Sequence, residues 1–344
     1  MPVLNRNSFL FQFLVLLAMF WQPPANADAL SAEAAYQKGK ILHFQDKFEE
    51  AEPYLLQAGE QGYPAAYFLI ASSGHINRFF MSNKEYRFKK LAAENGHLIS
   101  MISLTMERSS SPNKSYWKEH LLKILEPHIE NRNPLAIQLK NYATPYTANE
   151  EIYYLKKAAY PGYPKAQLKL ARRYESGEGW FFLPGSREKE VERLYNAAAR
   201  GGYHDAIWNN GINAIQEGEV DKGLELLNPL FEKGDASKMY TFGTLTAGIS
   251  AAGPNWPYID KLLGTTYTNI VASSMSETHE DMYSFMNGEA KAELTEKENQ
   301  QVEKMTEEYL KTHTVYKQDG LDEYEYTVDN LHTALERWGG NAIE

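Results

Sequence analysis

An all-α solenoid of antiparallel helix pairs is the fold this sequence predicts, and three observations carry the prediction. A phrase of small or apolar residues followed by a glycine returns every thirty to forty residues. Between the glycines, apolar side chains recur at helical spacing. Proline or a helix-opening residue stands just after several of the glycines. A fixed period of this size marks an array of supersecondary units rather than one globular core.

The phrase reads Ala58-Gly59-Glu60-Gln61-Gly62-Tyr63, then Ala92-Ala93-Glu94-Asn95-Gly96-His97, Ala158-Ala159-Tyr160-Pro161-Gly162-Tyr163 and Ala198-Ala199-Arg200-Gly201-Gly202-Tyr203. A degraded copy is Leu230-Phe231-Glu232-Lys233-Gly234. In register, the glycines stand 34, 66, 40 and 32 residues apart, and the double gap hides a unit whose glycine is lost near Arg132. Each glycine ends one helix and precedes the next, where a left-handed residue reverses the chain. Pro64 and Pro164 then suit a first helical turn, because the donor that proline lacks would be unpaired there.

The clearest unit runs from Gly162 to Gly202. Ala166, Leu170, Ala171 and Tyr174 recur at helical spacing, and Gly177-Glu178-Gly179 breaks the chain. A second helix from about Arg187 gathers Val191, Leu194, Tyr195, Ala198 and Ala199 on one side. Small residues let the two helices approach closely, while the larger side chains fill the groove between neighbouring pairs. Beyond Trp256 the period fades. Glu289 to Thr312 reads as a long charged helix with Leu294, Val302, Met305, Tyr309 and Leu310 as its apolar stripe, and Thr295 with Glu298 resembles a capped helix opening. Such a helix closes an array, whose last unit must cover one face and wet the other. The tail from Tyr316 carries Tyr324, Tyr326, Val328, Leu331, Leu335 and Trp338, which either pack back as a short strand and helix or dock elsewhere.

These units resemble the Sel-1-like repeats, relatives of the tetratricopeptide repeats, whose pattern is Ala, Leu-Gly, Tyr, Gly-x-Gly, then Ala and Ala-Ala-x-x-Gly. The resemblance is best over Ala166 to Gly202 and good over Gly39 to Gly62, where Gly39, Leu42, Ala51, Tyr54 and Leu55 fall in place. It covers residues 30 to 265 when the weak units between Gly96 and Tyr146 are included. The Leu-Gly step becomes Ile70-Ala71, Leu170-Ala171, Asn210-Gly211 and Phe242-Gly243, and the Gly-x-Gly loop survives once. The expected organisation is a signal peptide over 1–27, the solenoid over 28–275, a capping helix region over 276–315 and an acidic tail over 316–344.

Residues 1–27 read as an export signal: Arg6 opens it, Phe9 to Trp21 is almost wholly apolar, and Ala25-Asn26-Ala27 offers a small-residue cleavage site. That apolar run of 13 residues is short of the ~20 a spanning helix needs. The mature chain is therefore expected in a bacterial periplasm, without stable membrane insertion, as a monomer. With no cysteine in the sequence, it forms no disulfide and carries no lipidated cysteine. The net charge of −10 becomes about −11 once Arg6 is removed, and short basic pairs such as Lys89-Lys90 and Arg172-Arg173 do not outweigh it. Nucleic acid is excluded as a partner on that ground.

Six positions past each junction stand Tyr36, Phe68, Ile102, Gln138, Leu168, Trp208 and Tyr240, one large side chain in each first helix. Four further on stand Lys40, Ser72, Met106, Arg172, Ile212 and Thr244. In the family that the chain resembles, first helices line the concave wall, which implies that this row faces it. Aromatic anchors beside a cation are what binding hot spots favour. The candidate partner-binding residues are Tyr36, Phe68, Arg172, Trp208, Asn209 and Tyr240. Packing against the adjoining helix explains such a row equally well. Trp208 with Asn209-Asn210 is the strongest candidate for exposure, since consecutive amides are poor helix formers.

No catalytic set is apparent. The sequence lacks a Gly-x-Ser-x-Gly elbow, a His-Glu-x-x-His zinc helix and any cysteine nucleophile. Gly218 to Leu224 resembles a phosphate loop but lacks the lysine after its second glycine and carries two acids. His43, His75 and His97 have no ligand partner at helical spacing, so neither a metal nor a cofactor is expected. These readings point to a non-enzymatic repeat protein that binds a protein partner on its concave face, as an envelope adaptor or regulator. The resemblance also implies an alternative, an immunity protein that blocks a secreted antibacterial effector such as a phospholipase toxin.

Overall fold

The computed structural model describes residues 30–73, 81–106, 113–145, 147–249, 256–276, 280–318, 324–333 and 342. The export signal, His75, Leu335 and Trp338 lie outside the described residues. Among those residues sixteen helices follow one another and no strand forms. The first fourteen are hairpins: α1 (Ala32–Phe44) with α2 (Phe48–Glu60), α3 (Pro64–Ser72) with α4 (Asn83–Glu94), α5 (Leu98–Thr105) with α6 (Lys114–Glu130), and α7 (Pro134–Ala143) with α8 (Ala148–Ala159). The series continues with α9 (Pro164–Glu175) and α10 (Ser186–Arg200), α11 (His204–Gln216) and α12 (Val220–Glu232), and α13 (Ala236–Thr246) and α14 (Lys261–Ser274). Two further helices, α15 (Glu280–Ala292) and α16 (Glu296–Leu310), pack on α14. The all-α solenoid is thus the observed architecture.

One hydrogen bond, repeated six times, explains the recurring phrase. At every junction between hairpins, the N–H of the residue after the left-handed position donates to a carbonyl five residues back. Tyr63 bonds Ala58, His97 bonds Ala92, Asn133 bonds His128, Tyr163 bonds Ala158, Tyr203 bonds Ala198 and Asp235 bonds Leu230, all between 2.8 and 3.2 Å. This closure satisfies carbonyls that a helix end leaves orphaned, and it needs a positive φ at the residue between. The accepting alanines are also buried, because the same turn of helix faces the preceding hairpin. The hidden unit is real: Arg132 holds φ 58° where the other junctions have glycine.

One expectation is corrected. The long charged helix over Glu289 to Thr312 is two helices, because α15 stops at Ala292 and Thr295 caps a new start. The Glu298 N–H donates to the Thr295 hydroxyl at 3.3 Å, and the Thr295 N–H to the Glu298 carboxylate at 2.8 Å. Beyond Trp256, where the period fades in the sequence, α14 still pairs with α13 as a second helix should. Its pattern is hard to see because its buried face is polar. Thr268 donates to Asn287, Asn287 to Asn269, and Asn269 to Thr306, so α14, α15 and α16 share a satisfied hydrogen-bond chain. Gly264 makes the pairing possible: the Gly243 carbonyl and the Ala247 backbone occupy the space a Cβ would need.

The two ends of the array meet. Ser276 N–H donates to the Gln45 carbonyl at 2.8 Å, Lys317 N–H to the Phe44 carbonyl at 3.1 Å, and Gln45 Nε2 to the Val315 carbonyl at 2.9 Å. The Lys317 ammonium also pairs with Asp46 at 2.5 Å. The described tail packs back on the array: residues 313–318 and 326–327 touch it at isolated bridges, and residues 324–325 and 328–333 form turns, with Thr327 and Asn330 bonding one another.

Arg132→Gly should raise stability by up to about 1 kcal/mol, because an L side chain is strained at positive φ. Gly264→Ala should lower it by about 2 kcal/mol or more, because backbone atoms cannot yield to the new methyl. Urea unfolding checks both, and equal midpoints for either variant and the parent would contradict the assigned geometry.

Candidate functional site

The first-helix starts form one face of the array, the trough, and the chain's own C-terminal segment lies in part of it. At the Gly234 junction, Tyr316 N–H donates to the Gly234 carbonyl at 3.2 Å and the Tyr316 carbonyl accepts from Ala236 N–H at 3.1 Å. At the Gly96 junction, Val328 N–H donates to the Gly96 carbonyl and the Tyr326 carbonyl accepts from Leu98 N–H, both at 2.9 Å. Leu98 and Ala236 open α5 and α13, so the tail carbonyls cap helix N–H groups that have no intrahelical partner. At the next junction proline removes that donor, and the Asn133 side chain instead donates to the Leu331 carbonyl at 2.7 Å.

Side chains add selectivity to this main-chain docking. The Lys40 ammonium pairs with Glu325 at 2.6 Å, and both groups are largely covered. Tyr324 packs against Phe44 and Phe68, with ring centroids 5.3 and 5.5 Å apart. Tyr326 and Leu331 are buried among the side chains of α5 to α9.

His97 is fixed by bonds on both ring nitrogens. Its Nδ1 accepts from Ser100 N–H at 3.2 Å, which leaves the proton on Nε2 to donate to the Tyr324 carbonyl at 2.9 Å. Burial pushes His97 down to about 4, against the smaller opposing effect of that backbone bond. Burial does the same to His43, again to about 4, opposed by Asp46 and assisted by Lys317. The Tyr36 phenol is held well above its usual range by burial first and by the nearby Glu325 carboxylate second.

The candidate row divides in two. Tyr36 and Phe68 are 1% and 7% exposed and lie by the tail, so the polypeptide they meet here is their own chain. Ile102, Gln138 and Leu168 are buried as well, which is the outcome the packing explanation predicts. Trp208, Asn209 and Tyr240 are half-buried, and Arg172 is exposed. The Lys238 ammonium lies 6.0 Å from the centre of the Trp208 ring and pairs with Asp205. Tyr240 meets Tyr283 edge to face at 4.9 Å. Asn210 donates to Asn196 at 3.0 Å across the α10–α11 contact, which gives one of the paired amides a structural role. A groove of about 360 Å³ opens there, lined by Glu175, Arg187, Glu188, Glu192, Tyr195 and Asn213 among others.

Solved structures similar to this chain are Sel1 repeat proteins. One is a protective antigen present in uropathogenic Escherichia coli strains displaying an SLR fold, 14% identical over 83% of this chain and 62% of its own, with a TM-score of 0.41. The chain therefore spans less than two thirds of that protein's length. Another is a Sel1 repeat protein from Oxalobacter formigenes, 14% identical over 90% of this chain and 94% of its own, with a TM-score of 0.38. No protein-family model matches the chain, and no curated protein matches it in sequence.

Three features of this Sel1-like array were not singled out from sequence. Lys40 stood only as a neighbour of the row, and the docking roles of His97 and Asn133 had no signal beyond their place at junctions. The loop between α9 and α10 also displays Trp180, Phe182 and Leu183 at 78%, 79% and 69% exposure. Arg187 holds that loop rigid by donating to the Tyr174, Glu178 and Gly179 carbonyls at 2.5 to 3.0 Å. Among the described residues no group of three or more His, Cys, Asp or Glu could hold a metal ion, and no helix is long and apolar enough to cross a membrane.

Both buried histidines predict acid sensitivity. Between pH 6.5 and about 4 the unfolded chain binds protons at His43 and His97 that the folded chain does not. Stability should therefore fall as pH drops through that window, by about 3 kcal/mol for each ring, and should be insensitive to these rings above pH 6.5. His97→Asn keeps a cap for Ser100 but cannot ionise, so it should flatten the pH dependence measured by urea midpoints. An unchanged slope would show that His97 is not the titrating group.

Proposed function

We propose that this chain is a non-enzymatic periplasmic repeat protein that binds another protein through its concave surface, as an envelope adaptor or regulator. The observation that carries this reading is the occupied trough. Main-chain donors and acceptors at the Gly96 and Gly234 junctions, with the Asn133 side chain, already hold the chain's own C-terminal segment there, so the surface has the hydrogen-bonding capacity to hold protein. The stretch at Arg172, Trp208, Asn209 and Tyr240, where no contact with a described tail residue is seen, is the face offered to the partner. A tryptophan beside a lysine and a tyrosine beside a tyrosine are anchors of the kind that dominate interfaces. The periplasmic address rests on the export signal read over residues 1–27.

Affinity capture from the periplasm, with the bound proteins identified by mass spectrometry, tests the proposal. Trp208→Ala should weaken capture by tenfold or more while leaving the circular dichroism spectrum unchanged, since the ring is only half-buried. A single secreted toxin recovered at one-to-one stoichiometry narrows the reading to an immunity protein, whereas several envelope proteins identify an adaptor. Capture that survives Trp208→Ala but fails with Trp180→Ser and Phe182→Ser moves the partner face to the α9–α10 loop. Release of fragments from isolated peptidoglycan by the purified chain would refute the non-enzymatic reading.

A further inference from the structure

We propose that the slot running from Lys40 and Phe68 past the Gly96 junction to Asn133 is a binding site for an acidic and aromatic peptide in a turn conformation, with residues 324–331 of this chain as its resting, exchangeable occupant. The inference rests on the reading that the trough holds polypeptide, and it names the chemistry of what one part of the trough takes.

The slot is an array of donors. The Lys40 ammonium, His97 Nε2–H, Leu98 N–H and the Asn133 amide all bond the segment, against one acceptor, the Gly96 carbonyl. Such a set selects a chain rich in accessible carbonyls that also carries a carboxylate. Three of the donors bind main-chain carbonyls, at Tyr324, Tyr326 and Leu331, and those contacts are open to any peptide that takes up the same turn. Selectivity comes from the side chains. Lys40 reads the acid, and Phe44 and Phe68 read the aromatic ring immediately before it. Tyr326 and Leu331 provide the buried anchors.

Exchange requires that the segment leave without disturbing the hairpins, and much of its surface is open. Within 324–331 only Tyr326 and Leu331 are buried, and the other six residues are half-buried or exposed. At the Gly96 junction the contact is an isolated bridge rather than a ladder. A tethered occupant gains from high local concentration, so a competitor must match its chemistry or meet a weakened tail.

The test uses the full chain carrying Glu325→Ala and Tyr326→Ala, which weakens the resident segment, and a fluorescein-labelled peptide of residues 324–333. By fluorescence anisotropy the peptide should bind this variant at least tenfold more tightly than the unaltered chain. Adding Lys40→Glu to the variant should cost about tenfold, and a peptide with Glu325→Lys should recover it. A folded variant that binds the peptide no better than the parent overturns the proposal, as does indifference to Lys40→Glu.

Should the variant fail to fold, amide hydrogen exchange in the unaltered chain decides. Exchange of Leu98 and Val328 through an opening that leaves the α7 and α9 amides protected supports an exchangeable segment. Exchange of all of them only on global unfolding overturns it. Loss of peptide binding with Trp208-dependent capture intact sinks the slot alone. Peptide binding with no Trp208-dependent capture sinks the proposed partner face alone.

Discussion

Helix starts that open into the trough leave main-chain N–H groups without partners, and the course of the tail follows from where those groups are. Among the six junctions, three first helices begin with proline, at Pro64, Pro134 and Pro164, and present no N–H at that position. Of the other three, Leu98 and Ala236 are capped by tail carbonyls. A buried donor left unsatisfied costs roughly 1–3 kcal/mol. Removing the tail would therefore expose two helix starts as well as the apolar surface beneath Tyr326 and Leu331. The tail is a structural member of the array rather than an appendage to it.

Its anchors join parts of the molecule that share little else. Val315 packs in the C-terminal core with Phe231 and Met239, Tyr316 and Tyr324 pack against the N-terminal core around Phe44 and Leu69, and Tyr326 and Leu331 belong to the central core around Leu135. In an open solenoid each unit touches only its neighbours, and stability is close to a sum of local terms. Here the described residues of the tail reach three cores, and the α1–α2 corner meets Ser276 and Lys317 at the far end. The contacts of largest sequence separation thus lie in the tail, which adds cooperativity that stacked hairpins alone would lack.

The repeat was legible because its punctuation has a backbone cause. A left-handed residue followed by a bond to the carbonyl five residues back demands glycine in most copies, and the hairpins superimpose on that requirement even where Arg132 replaces it. Two things were harder to read. The buried face of α14 is built from Thr265, Thr266, Thr268 and Asn269, so an apolar pattern could not reveal it. The row of large side chains was located correctly within the first helices, but periodicity cannot distinguish a residue that faces solvent from one covered by a distant segment. Tyr36 and Phe68 lie against Glu325 and Tyr324, far along the chain, a relation that no local pattern encodes.

The α10–α11 contact differs from its neighbours. Its core is a small cluster of Leu168, Ala198 and Ala206, set between the large central and C-terminal cores. No described tail residue bonds at its junction, and a Cβ placed on Gly202 would meet nothing within 4 Å. His204, the third first-helix start that retains an N–H, instead engages its ring with Asp235 at 2.6 Å. Trp208 and Asn209 thus sit on a joint whose own core is small and which no described tail residue bridges, so its packing rests on the side chains of the two hairpins alone. That leaves the Trp208 ring and the adjacent groove to a partner rather than to the chain's own segment.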